Sequence, residues 1–294
     1  MGLIAPIVAA ANAADAAAPP SVSTLIPPGR SEHGYEIPPS KLEKLNGADL
    51  VVLVGLGLEP AVDKFLTDQA SKGDSRMRPR RVIRFADVVG VAADPHDQHH
   101  DHGHGPDADH DHEHHHHAVD PHLWLDPVLV EKLVAAVTTE VSEAVKDDAA
   151  AGVRVWAAGE ALRERIRGIH ESYASKCATF ASKTIVVGHD AWQRLAARYG
   201  LETVAIAGLA ATEPTPAALE RARQTMQEKK LKVLFIEPQL SDKAGRMIAA
   251  KTGAEVRRLD PLGDGDWFAM MEGNLKELER ALGAPAPALP GEKK

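Results

Sequence analysis

The sequence predicts a protein of the α/β class, in which a long helix joins two lobes that each contain a parallel sheet. Continuous apolar runs such as residues 50–55 (LVVLVG) are typical of strands buried on both faces, and they alternate with helical segments. Such alternation indicates βαβ units and parallel sheets. It stops at two long helical stretches in the middle of the chain and restarts at Thr184, which indicates two lobes.

The first part of the chain, residues 1–150, is predicted to form the N-terminal lobe. Its Ala-rich start favours a first helix over a signal peptide, because it has no basic segment and its apolar run is short. Strands and helices then alternate. We predict strands at 21–26, 50–55 and 81–87, and helices after Ser40 and at 59–72.

The middle of the chain is predicted to be helical. Apolar residues recur at helical spacing from Asp126 to Asp147, and a charge-rich stretch from Val153 to Phe180 forms a second helix. Residues 151–181 are assigned to the connecting helix, and residues 182–294 to the C-terminal lobe. In that lobe we predict strands, each followed by a helical segment, at 184–188, 203–207, 233–236 and 256–259.

The composition excludes several classes of protein. A formal net charge of −8 disfavours nucleic acid or an anionic membrane surface as a partner. No apolar run reaches the roughly 18 residues of a membrane span. The single Cys177 excludes an intrachain disulfide and a CxxC zinc site, so metal ligands must be His, Asp or Glu.

A histidine-rich stretch, residues 95–118, follows the third predicted strand. It interleaves histidine with Asp, Glu and Gly, so it is predicted to be a solvated loop. Mixed imidazoles and carboxylates suit divalent transition metals, zinc above all, which favours metal contact over an inert insertion or a tag. Eleven of the 15 histidines lie here: His96, His99, His100, His102, His104, His110, His112, His114, His115, His116 and His117.

Four histidines lie outside this loop. His33, His122 and His189 are in loops at strand ends or beside proline turns, where open α/β sheets place ligands. His170 lies in the charged helix and is predicted to be a surface residue. Taken singly, each of the first three fits a hydrogen-bonded structural histidine equally well. Together they predict a metal site, because one ion needs several ligands that converge from distant segments.

Acidic residues near these histidines are candidates for further roles. Asp260, at the end of the last predicted strand, is the preferred fourth ligand, and Glu32 is the alternative. Asp126 and Asp190 lie close in sequence to two of the histidines and are candidates to orient their rings. Asp126 is equally suited to cap the helix that follows it, and a turn or helix cap is also the structural alternative for Asp260.

Four motifs resemble those of the metal-binding solute-binding proteins of zinc and manganese ABC importers. The resemblance covers almost all of residues 21–265 and includes the His-rich loop. The motifs are PPGRSEHGYEIPPSKLEKLNGADLVVLVGLGLE, DPHLWLDP, VVGHDAWQRLAARYGL and IEPQLSDKAGRMIAAKTGAEVRRLDPLG. The resemblance implies a metal site in the cleft between the lobes, with ligands at His33, His122, His189 and Asp260. Histidine at the third position is the residue of zinc members, whereas manganese members have glutamate.

The resemblance also implies a function. We expect a monomer that binds Zn²⁺, with Mn²⁺ less favoured, outside the cytoplasm and delivers it to the membrane permease of an ABC importer. The His-rich loop is then an accessory segment that gathers zinc. The start of the chain departs from the family pattern, since it has no lipobox cysteine, no clear export signal and about half of the first βα unit. Either upstream residues precede it or the lobe lacks a strand.

Two other functions fit some of the residues. A zinc-dependent hydrolase also uses three histidines, but the chain has no HExxH motif and no evident general base. A zinc buffer that acts through the loop alone leaves the motifs at His33 and His189 unexplained. The residues therefore favour metal binding without catalysis, and the resemblance implies that this binding serves transport.

Overall fold

The computed structural model describes residues 3–11, 21–72, 81–92 and 119–283 of the chain. Two parallel strands pair in the first part, with Leu50 opposite Arg81 and Leu53 opposite Arg84. The strands are β1 (Leu50–Leu53) and β2 (Arg81–Arg84). The helices are α1 (Ala5–Ala10), α2 (Pro39–Leu42), α3 (Pro60–Lys72) and α4 (Phe85–Val89), with a 3₁₀ turn at Glu43–Gly47.

The start of this lobe differs from the prediction in one segment. The Ala-rich start forms a helix as expected, in α1, and residues 12–20 lie outside the described ranges. The strand predicted at 21–26 is not formed. Leu25 packs against an apolar cluster beside β1, and its carbonyl accepts a hydrogen bond from Nζ of Lys41 at 2.7 Å. A lysine side chain thus satisfies this carbonyl in place of a neighbouring strand.

The strand predicted at 81–87 ends at Arg84, where the chain turns directly into α4. Phe85 and Ala86 are both buried. In a strand, the side chains of two consecutive residues point to opposite faces of the sheet. In a helix, two consecutive side chains can both contact the same core, as those of Phe85 and Ala86 do. Gly90 then ends the helix with a φ of 71°, a left-handed conformation that suits glycine.

Two long helices join the lobes, as predicted. They are α5 (Pro127–Ala144) and α6 (Ala149–Ala178), and each begins at an aspartate that caps its first turn. The 30 residues of α6 extend over about 45 Å. A Cβ atom at Gly159 of α6 would lie 2.3 Å from Oγ1 of Thr138 on α5, so the glycine permits the close approach of the two helices.

The C-terminal lobe contains four strands in its described part, all at predicted positions. β3 pairs in parallel with β4, β5 pairs in parallel with β6, and β3 contacts β5. The strands are β3 (Thr184–His189), β4 (Glu202–Ala207), β5 (Val233–Ile236) and β6 (Glu255–Arg258). The helices are α7 (Gln193–Arg198), α8 (Pro216–Glu228), α9 (Lys243–Thr252) and α10 (Trp267–Leu282).

One apolar core extends through both lobes along α6. It contains Phe85 and Leu133 on one side and Leu195 and Phe268 on the other. Because protein cores are closely packed, this arrangement makes α6 a rigid connector. The two-lobe α/β fold is therefore confirmed, while the exact boundaries at 150 and 181 stay predictions. No helix in the described ranges is both long and apolar enough to cross a membrane.

Candidate metal centre

Three histidines and one glutamate from separate parts of the chain form the candidate metal centre. Glu32 and His33 lie in the loop ahead of α2, where the His33 N–H donates to Oγ of Ser31 at 3.2 Å. His122 directly precedes a 3₁₀ turn at Leu123–Leu125. His189 is the last residue of β3, so its side chain is fixed by a buried strand.

The ligand atoms of these four residues converge. Nε2 of His122 lies 3.3 Å from Nε2 of His33, 3.3 Å from Nε2 of His189 and 3.3 Å from Oε1 of Glu32. Oε1 of Glu32 is also 3.6 Å from Nε2 of His33. A tetrahedral zinc ion with Zn–N bonds of about 2.0–2.1 Å holds its ligand atoms about 3.3 Å apart. Four of the six distances between the donor atoms, at 3.3 to 3.6 Å, are thus close to those around such an ion, and all six are below 4.8 Å.

The centre lies almost entirely out of contact with solvent. His122 and His189 are 0% and 1% exposed, and Glu32 is 6% exposed. Oε1 of Glu32 is buried without a hydrogen-bond partner. A buried carboxylate oxygen without a donor is costly unless a cation compensates it. The donor set and this oxygen thus fit a bound metal ion.

Two further carboxylates lie behind the histidine rings. Oδ1 of Asp120 accepts hydrogen bonds from the backbone N–H and Nδ1 of His122, at 2.9 and 2.7 Å. This contact orients the ring so that Nε2 faces the centre. Oε1 of Glu237 lies 3.5 Å from Nδ1 of His189 and accepts a hydrogen bond from Nε1 of Trp192 at 3.1 Å. Each of the two buried rings therefore has a carboxylate on its far side.

The two carboxylates that the sequence suggested for this role are engaged elsewhere. Asp126 caps α5 by accepting a hydrogen bond from the Val128 N–H at 3.0 Å, which confirms the alternative role. Asp190 accepts a hydrogen bond from the side chain of Gln193. Asp120 was not predicted from the sequence, although it lies two residues before His122. Glu237 is 48 residues from His189, so no local pattern points to it.

Asp260, the preferred fourth ligand in the sequence, does not belong to the group of four. Its Oδ1 accepts hydrogen bonds from Nε2 of Gln239 at 2.7 Å and from the N–H groups of Leu262 and Gly263. The structure thus brings together the three predicted histidines and the alternative carboxylate, Glu32. Ligation by Asp260 stays a prediction.

Of the remaining predicted histidines, only His170 lies within the described ranges. His170 is half-buried rather than fully on the surface, with Nδ1 3.1 Å from the hydroxyl oxygen of Tyr199. It is not a member of the metal-ligand group, as expected. The eleven histidines between residues 96 and 117 lie outside the described ranges, so their role as an accessory loop stays a prediction.

Burial and charge shift the pKa values of the centre in different directions. Burial lowers the pKa of His33 to about 4, although Glu32 acts in the opposite sense. Burial also disfavours a charged His122, but Asp120 and Glu32 together outweigh it and raise the pKa of that ring. The pKa of Glu32 is lowered, because its contacts with His122 and His33 outweigh its burial. Glu32 and His122 thus each favour the charged form of the other.

Comparisons with known proteins agree with this geometry. Residues 10–281 match the model of the ZnuA family, described as "Zinc-uptake complex component A periplasmic". The zinc-binding lipoprotein AdcA of Streptococcus pneumoniae is 28% identical over 284 residues, which are 93% of this chain and 54% of AdcA. This chain thus spans about half the length of AdcA. The high-affinity zinc uptake system protein ZnuA of Bacillus subtilis is 28% identical over 242 residues, with 82% of this chain and 71% of that protein covered.

A solved structure supports the same relationship. The crystal structure of a zinc-bound ZnuA deletion mutant superposes with a TM-score of 0.72 at 25% sequence identity. The superposition covers 90% of this chain and 91% of the other chain. The fold, the convergent ligands and the match over residues 10–281 lead to one conclusion. The chain belongs to the ZnuA family of periplasmic zinc-uptake components.

Proposed function

We propose that this protein binds one Zn²⁺ ion outside the cytoplasm and delivers it to the permease of an ABC importer. The observation that carries the proposal is the convergence of three imidazole Nε2 atoms and Oε1 of Glu32 on one point. These atoms come from both lobes, so the ion would lie in the cleft between them. Zinc is the cargo of the protein, not a resident cofactor.

The ligand set favours zinc over manganese. Three of the four donor atoms are imidazole nitrogens, and only one is a carboxylate oxygen. Nitrogen ligands suit zinc, whereas manganese is harder and lowest in the affinity order of divalent metals. The three distances of 3.3 Å from Nε2 of His122 to the other donors also suit a four-coordinate zinc ion.

The fourth ligand in this proposal is Glu32. Its Oε1 atom lies 3.3 Å from Nε2 of His122 and has no hydrogen-bond partner. By contrast, Oδ1 of Asp260 accepts three hydrogen bonds. The proposal therefore departs from the sequence-based preference for Asp260.

We propose that the protein binds the ion without catalysis. A catalytic zinc site keeps a coordination position open to water and substrate. Here four ligands already surround the centre, and three of them are less than 10% exposed. This burial favours retention of a bare ion over turnover of an organic substrate.

Delivery to a permease, the extracytoplasmic location and the monomeric state rest on family membership. The same holds for the accessory role of the His-rich loop, residues 95–118. Its weak sites would raise the local zinc concentration near the cleft. The cleft site should bind more tightly than these accessory sites, because its ligands are held in place before the ion arrives.

The experiment that tests the proposal is a zinc titration of the full chain and of a variant without residues 96–117. The full chain should bind one tight equivalent and several weak ones, and the deletion should remove only the weak ones. The triple variant His33→Ala, His122→Ala, His189→Ala should lose the tight equivalent and keep the weak ones. Loss of the tight equivalent on loop deletion would instead make the loop the primary site.

A further inference from the structure

The segment that carries His122 is attached to the C-terminal lobe, although it precedes α5 in the chain. Nε1 of Trp124 donates to the carbonyl of Pro261 at 2.6 Å, and Nε1 of Trp267 donates to the carbonyl of Trp124 at 2.8 Å. In addition, Arg198 of α7 pairs with Asp126 at 2.7 Å. These three contacts hold residues 124–126, which follow His122, to the C-terminal lobe.

Arg194 of α7 makes the contact that leads most directly to the metal centre. Its Nε and Nη2 atoms both donate to the carbonyl oxygen of Asp120, at 2.9 and 2.6 Å. Nε also lies 3.6 Å from Oδ2 of Asp120, a buried oxygen without a hydrogen-bond partner. The guanidinium thus places a positive charge beside the carboxylate that holds His122.

We propose that Arg194 is a positioning residue for the zinc ligand His122, which it holds through Asp120. Residues 189–194 then have two roles. They supply one ligand, His189, and five residues later Arg194, which holds a second ligand, His122, in position. The two rings form a preassembled half of the centre, and the loop with Glu32 and His33 completes it. Preassembly raises affinity because less conformational freedom is lost on binding.

This inference rests on the proposed zinc binding, and Arg198 offers a matched control for it. Arg198 lies on the same helix and also pairs with an aspartate of the His122 segment. Its partner Asp126 caps α5, whereas the partner of Arg194 holds a ligand ring. Both substitutions remove an arginine between the same two parts of the fold, so they differ mainly in their connection to His122.

The test compares Arg194→Met with Arg198→Met in the full chain, by zinc titration against a strong chelator that reports only the tight site. Arg194→Met should weaken zinc binding by about tenfold, the lower range for loss of a group that orients a ligand. Arg198→Met should leave zinc affinity unchanged, even where it lowers Tm. Arg194→Lys keeps the charge without the two-point contact and should give an intermediate affinity.

A spectroscopic measurement separates positioning from general stability. The visible absorption of bound Co²⁺ reports the arrangement of its ligands, so Arg194→Met should alter this spectrum and Arg198→Met should preserve it. Equal zinc affinities and equal Co²⁺ spectra for the two variants would overturn the inference. If Arg194→Met does not fold, Arg194→Lys is compared with Arg198→Lys under the same criteria. Absence of a tight site in the unaltered protein would instead overturn the proposed function.

Discussion

Nε2 of His122 lies 3.3 Å from Nε2 of His189, although 67 residues separate the two histidines in the chain. Asp120 holds the first ring, and Glu237 lies behind the second. With these carboxylates on the far sides of the rings, both Nε2 atoms face the centre, where a cation between them would accept a lone pair from each.

Substitution of the two candidate carboxylates should identify the fourth ligand. Glu32→Gln removes the charge of an oxygen in the centre, so zinc affinity should fall by about a hundredfold or more, the upper range for loss of an outer carboxylate. Asp260→Asn retains an oxygen that can accept the hydrogen bonds of Leu262 and Gly263, and should change the affinity little. Competitive titration with a chelator measures the zinc affinity of both variants. A larger loss for Asp260→Asn would restore the assignment made from sequence.

Replacement of His189 by glutamate should shift metal selectivity. His189→Glu exchanges a nitrogen donor for a carboxylate oxygen, which manganese prefers. Zinc affinity should fall substantially, while manganese affinity falls less or rises. His170→Glu is the matched control, because His170 contacts Tyr199 and lies outside the ligand group. An unchanged zinc-to-manganese ratio in His189→Glu would show that this residue does not bind the metal.

Acidification should release zinc in two stages. The raised pKa of His122 means that its proton competes with zinc already near neutral pH, whereas the pKa of His33 is about 4. Because each ring must lose its proton to bind, the apparent affinity should fall by about tenfold per pH unit below the pKa of His122. The fall should steepen as the pH approaches the pKa of His33. Titrations between pH 7.5 and 4 measure this, and a flat profile from pH 7 to 5 would contradict it.

The contact between α5 and α6 should be sensitive to one methyl group. In Gly159→Ala the new Cβ would lie 2.3 Å from Oγ1 of Thr138, which is held by a hydrogen bond to the Val134 carbonyl. The free energy of unfolding should fall by about 1–3 kcal/mol, as for overpacked cores. Gly168→Ala on the same helix faces open space and should raise it by up to about 1 kcal/mol. Denaturant unfolding compares them, and equal effects would rule out the steric explanation.

Local patterns were sufficient for most of the fold. The strands of the C-terminal lobe, the two central helices and the convergence of His33, His122 and His189 were all predicted. Buried strands and amphipathic helices have characteristic periods, and the ligand histidines lie at strand ends and proline turns. The prediction of a strand at 21–26 was wrong, because β-prone residues indicate only that a strand is favourable there. Whether one forms depends on a partner strand, and here Lys41 satisfies the Leu25 carbonyl instead.

The sequence by itself was sufficient to predict the α/β class, the two lobes and the three histidines of the candidate metal centre, since strand and helix periods and the motif around each histidine are local. Only the tertiary structure decided between Glu32 and Asp260 as members of the ligand group. It also placed Asp120, Glu237 and Arg194 around the rings. Carboxylates and arginines occur throughout the chain, and one acts on the metal centre only where folding brings it within hydrogen-bond distance.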